Sequence, residues 1–432
     1  MRRPLTIFNF LTSRQQHLSL GNIPKSSLLR HISHRVFAFP GPAMSTIEKV
    51  SRVQYEYIED IERLERYQLG GYHPILIGDI LKDRYQVVHK LGHGTFSTIW
   101  LSQDIQQTTY VAVKVCTGDS SPHEADLLYD ISDPPQTNHP GRAMIPTILD
   151  QFELQGPNGY HRCYVSSPAQ SSIADATLFR LFQIETARSL VAQLVLAIAY
   201  THTQGYAHGD IHLGNALLRL PSNLDQLSID QLYEKFDKPV TEPIIRHDRE
   251  PLPPGVPPLA TIPRLGSQCR APTPFLPPEA YFEPEKRISF PIDIWTLACA
   301  IWSILGSRAL FDGTLATHDD ISQQQIDILG ELPHKWWNKW EARYKYFDER
   351  GKPKKDRYVF PALEDRFEKH IQEPRRKDSV GEFDREETAA LLVMLRSMLA
   401  FRPEERATIE TVLGSDWMVN WGLPEFEKSL EV

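Results

Sequence analysis

An α+β fold, with a β-rich part followed by a mainly helical one, is what this sequence predicts. Three observations predict it. Apolar alternation of period two runs from Tyr85 to Val115, broken by a glycine hairpin. A second pair of strands is expected within 143–167, around the turn cluster Gly156-Pro-Asn-Gly159. From Thr186 to Gln204 the period becomes helical, with Leu190, Leu194, Ala197 or Ile198, and Thr201 on one face and Gly205 as the stop.

Composition sets the bounds. The 432 residues are 41% hydrophobic and 24% charged, as in an ordinary soluble globular chain with room for one large domain and extensions. A net charge of −8 argues against nucleic acid as the main partner and is compatible with basic peptides. The longest apolar run, Trp295 to Leu305, is too short to span a bilayer and reads as a core helix. Cys116, Cys163, Cys269 and Cys299 stand far apart with no metal-like spacing, so free thiols in a reducing compartment are expected.

The remaining segments follow in chain order. Residues 1–47 carry Arg2, Arg3, Arg14, Lys25, Arg30 and Arg35 and no acid, a charge of +6 that leaves −14 on the rest. With few clustered apolar residues this extension is expected to be disordered. Its composition is that of a mitochondrial transit peptide; a basic tail, or initiation at Met44, is the alternative. Residues 48–84 are expected to wrap the β-rich part as a flank without forming a domain. Ser166-Ser-Pro168 falls at the junction of the two parts, and Ala216 to Leu220 reads as a short strand. Residues 221–263 hold nine prolines and read as an inserted loop with one short helix near Asp230–Phe236. Trp336 to Tyr358 is a charged, aromatic loop. Glu386 to Leu399 is an amphipathic helix with Leu391, Leu392, Leu395 and Met398 inward, and 419–432 is a tail.

Two motifs carry chemistry. His208-Gly-Asp-Ile-His-Leu-Gly-Asn215 places Asp210 and Asn215 five residues apart, just after a buried helix. Phosphotransferases need that pairing: the Asp orients and deprotonates a hydroxyl, and the Asn holds a metal ion bridging nucleotide phosphates. Upstream, Leu91-Gly-His-Gly-Thr-Phe-Ser-Thr-Ile-Trp100 is a glycine hairpin. Gly92 and Gly94 let backbone approach phosphate, and Phe96 caps the nucleotide from the tip. Lys114 follows in the strand Tyr110-Val-Ala-Val-Lys-Val115. A lysine there needs an ion partner, because burying one unpaired costs several kcal/mol. Glu124 is the choice, with Asp126 the weaker candidate.

Further motifs narrow the reading. Pro277-Pro-Glu279, Pro291-Ile-Asp-Ile-Trp-Thr-Leu297 and Phe401-Arg-Pro-Glu-Glu-Arg-Ala407 follow in order. With the hairpin and the Asp210 loop they resemble the eukaryotic protein kinase family over residues 85–418. The Ser97 hairpin, the Gly-Asp loop, Leu276-Pro-Pro-Glu-Ala280 and Ile328-Leu-Gly-Glu-Leu-Pro333 are similar to fungal SR-protein kinases.

The resemblance implies a two-lobed, kinase-like α+β fold: small lobe 85–167, large lobe 168–418. It implies ATP and Mg2+ as cofactors, bound by Leu91, Gly92, His93, Gly94, Thr95, Phe96, Ser97, Ile99, Ala112, Lys114, Glu124 and Asn215, with Asn215 on the metal. Asp210, Lys114 and His212 are the implied catalytic residues; His212 stands where serine/threonine kinases usually have a lysine on the transferred phosphate. Asp293 is implied to brace the Asp210 loop, and Glu279 with Arg406 to form a buried structural pair. Arg/Ser-rich proteins are the implied substrates, with a link to mRNA splicing, a monomeric state, no direct nucleic acid and a location in cytoplasm and nucleus.

One departure matters. The interval from Asn215 to Glu279 holds Asp225, Asp230, Asp237 and Asp248, and none precedes an aromatic-Gly pair. The family's Asp-Phe-Gly, whose Asp binds metal, is therefore missing, as is the strand expected before it. Besides an ATP-dependent serine/threonine kinase, a pseudokinase scaffold without transfer is a second reading. A small-molecule phosphotransferase is a third, opposed by Glu279, Asp293 and Arg406.

Overall fold

The structure is a computed structural model that describes residues 5–7, 54–120, 131, 138–177, 180–219, 224–263, 276–285 and 289–431. It is a mixed α+β, two-lobed fold. The small lobe is one antiparallel six-stranded sheet. Its strands are β2 (Ile80–Leu81), β3 (Tyr85–Gly94), β4 (Ser97–Asp104), β5 (Thr109–Cys116), β6 (Ile148–Gly156) and β7 (Gly159–Ser166), in the order β2-β3-β4-β5-β7-β6. Alternation builds it: Tyr85, Val87, Trp100, Val111, Val113, Val115, Phe152 and Val165 share one buried face. The β6–β7 turn falls at the expected cluster, with Gly159 at φ +119°, a left-handed conformation that suits glycine.

In the large lobe, α1 (Ile184–Thr203) is buried at every position from Ser189 to His202, which is why it runs apolar on all sides. It stops where Gly205 turns to φ +83°. The helix read from Trp295 to Leu305 begins earlier, as Phe290–Leu305, and the final amphipathic one spans Arg385–Met398. Leu391, Leu395 and Met398 are buried there as expected, while Leu392 packs at the margin of the core. Cys116, Cys163 and Cys299 are buried free thiols, and burial pushes the Cys163 and Cys299 thiols up. No helix among the described residues is long and apolar enough to cross a membrane.

Three expectations need correction, the first being the 419–432 tail, which forms the helix Leu423–Leu430 with Phe426 in the core. The N-terminal extension, expected to be disordered, contributes the strand β1 (Leu5–Ile7). It pairs antiparallel with β9 (Ala216–Arg219), whose other neighbour is β8 (Ala169–Ser172). Positions 1–4 and 8–53, the segment around Cys269, and Glu124 with Asp126 lie outside the described residues.

The proline-rich insert holds the short helix expected near Asp230–Phe236, but it is also more than the loop expected around it. A helix, Ile229–Phe236, closed by a Ser228–Gln231 capping box, lays Leu232 against Val88, Leu101 and Tyr110 of the small lobe. The hydroxyl of Tyr110 donates to Leu227 O at 3.1 Å, and that of Tyr233 to Val88 O at 2.9 Å. Farther on, β10 (Val240–Pro243) pairs with β11 (Leu259–Ile262). Their Ile244, Val256 and Ala260 share a small core with Ile58, Leu64, Tyr67 and Tyr72 of the flank. Asn158 pins this layer, donating to Tyr72 O at 2.7 Å and Gly255 O at 2.8 Å. A Cβ on Gly255 would stand 2.1 Å from Asn158 Oδ1, so the approach requires glycine. Prolines supplied the turns and the apolar residues between them supplied the contact, which a count of prolines does not reveal.

Buried imidazoles give this fold an acid sensitivity. Burial, helped by its neighbour His161 at 4.8 Å between ring centres, holds His73 down at about 4. Burial and nearby Arg366 bring His370 to about 4 as well. A histidine depressed in the folded state binds its proton more readily when unfolded, so acid favours unfolding between the two values. Stability measured by urea unfolding should fall as pH drops from 6.5 to 4, and His73→Gln should flatten part of that slope. A flat profile across this window would contradict the assignment.

Candidate active site

The Asp210 loop is shaped from beneath by one carboxylate. Asp293, in the first turn of the helix Phe290–Leu305, is fully buried. Its oxygens accept the backbone N–H of His208 at 2.6 Å and of Gly209 at 2.7 Å, and lie 2.9 Å from His202 Nε2 at the end of α1. These donors belong to the loop and to α1, not to Asp293's own helix start, where Ser289 is the N-cap and makes no side-chain cap bond. Gly209, at φ +74°, makes the turn.

Above that base, Asp210, His212 and Asn215 come together. Asn215 Nδ2 donates to Asp210 O at 2.8 Å and to its carboxylate at 3.0 Å. His212 Nδ1 accepts the Gly214 N–H at 3.2 Å, which leaves the ring proton on Nε2, 3.6 Å from Asp210 Oδ2. Desolvation works to raise the Asp210 carboxyl, but His212, His208 and the Asn215 amide outweigh it and hold it below the ordinary value. Asp210 is thus ionised at neutral pH, oriented and ready to accept a hydrogen bond. His212 thus sits beside the Asp210 carboxylate, with its Nδ1 turned to its own loop.

The hairpin residues sit on β3, β4 and β5. Gly92 pairs with Ile99, His93 with Thr98 and Gly94 with Ser97; Ile99 pairs in turn with Lys114, and Ala112 with Ser166 at the junction. Lys114 is partly buried between Ile99 and Tyr164. Leu91, expected at the nucleotide, packs against the cluster formed with the insert helix. His93, Gly94 and Thr95 line a cavity of about 590 Å³ shared with the flank residues Tyr57, Arg63 and Tyr72. Sequence reading had missed these flank contacts; scattered aromatics were the only signal.

Donor chemistry bears on a metal. Asn215 turns its amide nitrogen onto Asp210, which points the amide oxygen the other way, and oxygen is what hard dications take. Asp210 adds a carboxylate beside it. These two groups fit one Mg2+ completed by phosphate oxygens. No cluster of three His, Cys, Asp or Glu side chains suited to a metal occurs among the described residues. Asp248 is held by Arg246 through two contacts of 2.8 and 2.5 Å, far from a free ligand.

Glu279 and Arg406 form the buried pair, two contacts of 2.6 Å, with the guanidinium also donating to Ala400, Pro291 and Phe401 carbonyls. Removing one partner strands the other charge. Glu279→Ala should therefore cost about 3–5 kcal/mol in urea unfolding. Breaking the exposed Arg402–Glu405 pair, 3.4 Å apart, should cost no more than about 1 kcal/mol. Equal losses would show that Glu279 is not buried with its partner.

Sequence comparison agrees with the geometry. A serine/threonine protein kinase of Aspergillus fumigatus is 26% identical over 373 residues, 83% of this chain and 90% of the relative. The serine/threonine-protein kinase SRPK of Physarum polycephalum is 26% identical over 402 residues, 83% of this chain and 91% of the relative. SRSF protein kinase 3 of Homo sapiens is 35% identical over 169 residues, 37% of this chain and 30% of the relative. A scan against protein-family models gives no match.

Proposed function

We propose that this chain, a serine/threonine protein kinase by family and similar to the SR-protein kinases, transfers phosphate from ATP to serines of Arg/Ser-rich proteins and acts in the control of mRNA splicing. The observation that carries the reading is the Asp210–Asn215 loop: a carboxylate held below its ordinary pKa, with the Asn215 amide bonded to it and His212 beside it. In this reading Asp210 accepts the hydrogen bond of the serine hydroxyl, aims it in line, and takes its proton as the bond to phosphorus forms. Asn215 Nδ2–H keeps that carboxylate from rotating, and the His212 ring 3.6 Å away favours its charged form. Lys114 grips the nucleotide phosphates from β5. Asn215 and Asp210 hold Mg2+, which when bound neutralises phosphate charge. The −14 charge outside residues 1–47 suits a basic peptide.

The missing Asp-Phe-Gly sets the expected rate. Without that segment Asp210 is, among the described residues, the one carboxylate left for the metal and must also take the hydroxyl proton, and the neutral Asn215 oxygen is a poorer ligand for a hard dication. Losing one preorganised charge at the transferring group costs at least about 3 kcal/mol, roughly 10²-fold in rate. The 432-residue chain should label an Arg/Ser-rich peptide from radiolabelled ATP slowly, restoration of an Asp-Phe-Gly segment should speed it by that factor, and Asp210→Asn should remove the label in both. Label that survives Asp210→Asn would sink the mechanism, and equal rates with and without the restored segment would sink the metal argument.

A further inference from the structure

The tip of the glycine hairpin is held from outside by the flank that precedes the sheet. Tyr72 donates its hydroxyl to Gly94 O at 2.7 Å and, more weakly, to Thr95 O at 3.2 Å. Arg66 Nη1 donates to the same Thr95 O at 2.8 Å, and its guanidinium lies 5.5 Å from the rings of both Tyr72 and Phe96. Asp119, just past β5, takes two hydrogen bonds from Arg66 at 3.1 and 2.9 Å and one from the Thr117 hydroxyl at 2.7 Å. Backbone closes the frame, with Gly118 N donating to Gly71 O and Asp119 N to Gly70 O. Burial pushes the Tyr72 phenol up to about 12, so its hydroxyl stays a donor across the working pH range.

A trans peptide unit is planar, and its C=O and N–H point in opposite directions. Fixing the Gly94 carbonyl toward the flank therefore turns the Thr95 N–H away from it, and fixing the Thr95 carbonyl does the same for Phe96. Gly94 and Thr95 are exposed and sit at the tip. Without the clamp these two peptide planes would rotate freely, and a bound phosphate would have to order them at its own cost.

We infer that Arg66 and Tyr72 are positioning residues that preset the Thr95 and Phe96 N–H groups for the phosphates of the nucleotide. The inference rests on the proposed kinase reading for the identity of the ligand, while the clamp itself is independent of it. It also gives the insert a role: Asn158 ties Tyr72 to Gly255, and Ile244, Val256 and Ala260 pack on the same flank. The segment that leaves the Asp210 loop thus supports the hairpin on the other lobe.

The test compares Tyr72→Phe, which removes only the hydroxyl, Arg66→Gln, and Tyr110→Phe, which deletes an equivalent hydroxyl at the insert without touching the hairpin. Each is measured for amide exchange at residues 92–97 without nucleotide, for affinity to a fluorescent ATP analogue, and for the midpoint of urea unfolding. Tyr72→Phe and Arg66→Gln should each speed exchange and weaken nucleotide binding about 5-fold, the loss of one net hydrogen bond. Tyr110→Phe should leave both unchanged. Unaltered exchange in the two clamp variants overturns the inference, as does faster exchange with unchanged affinity. A wild-type chain that binds no nucleotide refutes the kinase reading and the positioning role together, while the exchange result still decides whether the clamp exists.

Discussion

Taking a carboxylate wholly out of water costs several kcal/mol unless donors replace the lost hydration, and the large lobe is organised around one such replacement. Asp293 meets the requirement with the N–H groups of His208 and Gly209 and the ring of His202. Those donors come from the end of one core helix and from the loop that follows it. The carboxylate comes from the start of another core helix. A single buried charge therefore sets the spacing of two helices and the path of the loop between them. Asp210, two residues beyond His208, inherits its position from that arrangement. So do Asn215, whose amide bonds to Asp210, and His212, whose Nε2 lies 3.6 Å from the carboxylate.

The second constraint acts on the other lobe. A six-stranded sheet with one buried face leaves its outer face and its hairpin tip without support. The insert covers part of that face with Leu232 against Val88, Leu101 and Tyr110, and the flank reaches the tip through Arg66 and Tyr72. Asp225 adds a direct tie, accepting the N–H of Tyr110 at 2.7 Å on the strand that bears Lys114. Since the insert begins immediately after the strand that follows Asn215, chain continuity links the Asp210 loop to the sheet that bears Lys114.

Much of this was legible in the sequence because it follows local rules. The period-two run from Tyr85 to Val115 and the helical run before Gly205 each bury a face fixed by their own spacing, and both elements form within two residues of the expected limits. Asp293, Glu279 and Arg406 were legible through resemblance, and each takes the structural contact expected of it. What was not legible depends on contacts remote in sequence. Nothing local marks Leu5–Ile7 as a strand, because its pairing partner lies beyond residue 215. Nine prolines said loop, and the apolar residues between them, Leu232, Ile244 and Val256, buried themselves regardless.

The pairing of β1 with β9 carries the argument one step further. Ile7 stands opposite Ala216, the residue next to Asn215, and Leu5 opposite Leu218. A strand in the interior of a lobe cannot leave its N–H and C=O groups unpaired without losing free energy, so the edge of β9 must be covered by some segment. A segment from the far N-terminus, Leu5–Ile7, covers that edge. The fold thus meets the backbone requirement of this edge with residues some two hundred positions away in sequence. Hydrogen bonding of a strand edge asks only for extended backbone, which almost any apolar stretch provides, whereas a metal site asks for one side chain at one place. That difference in stringency is why a strand edge can be covered from a remote part of the chain, whereas a metal site depends on particular side chains at particular places.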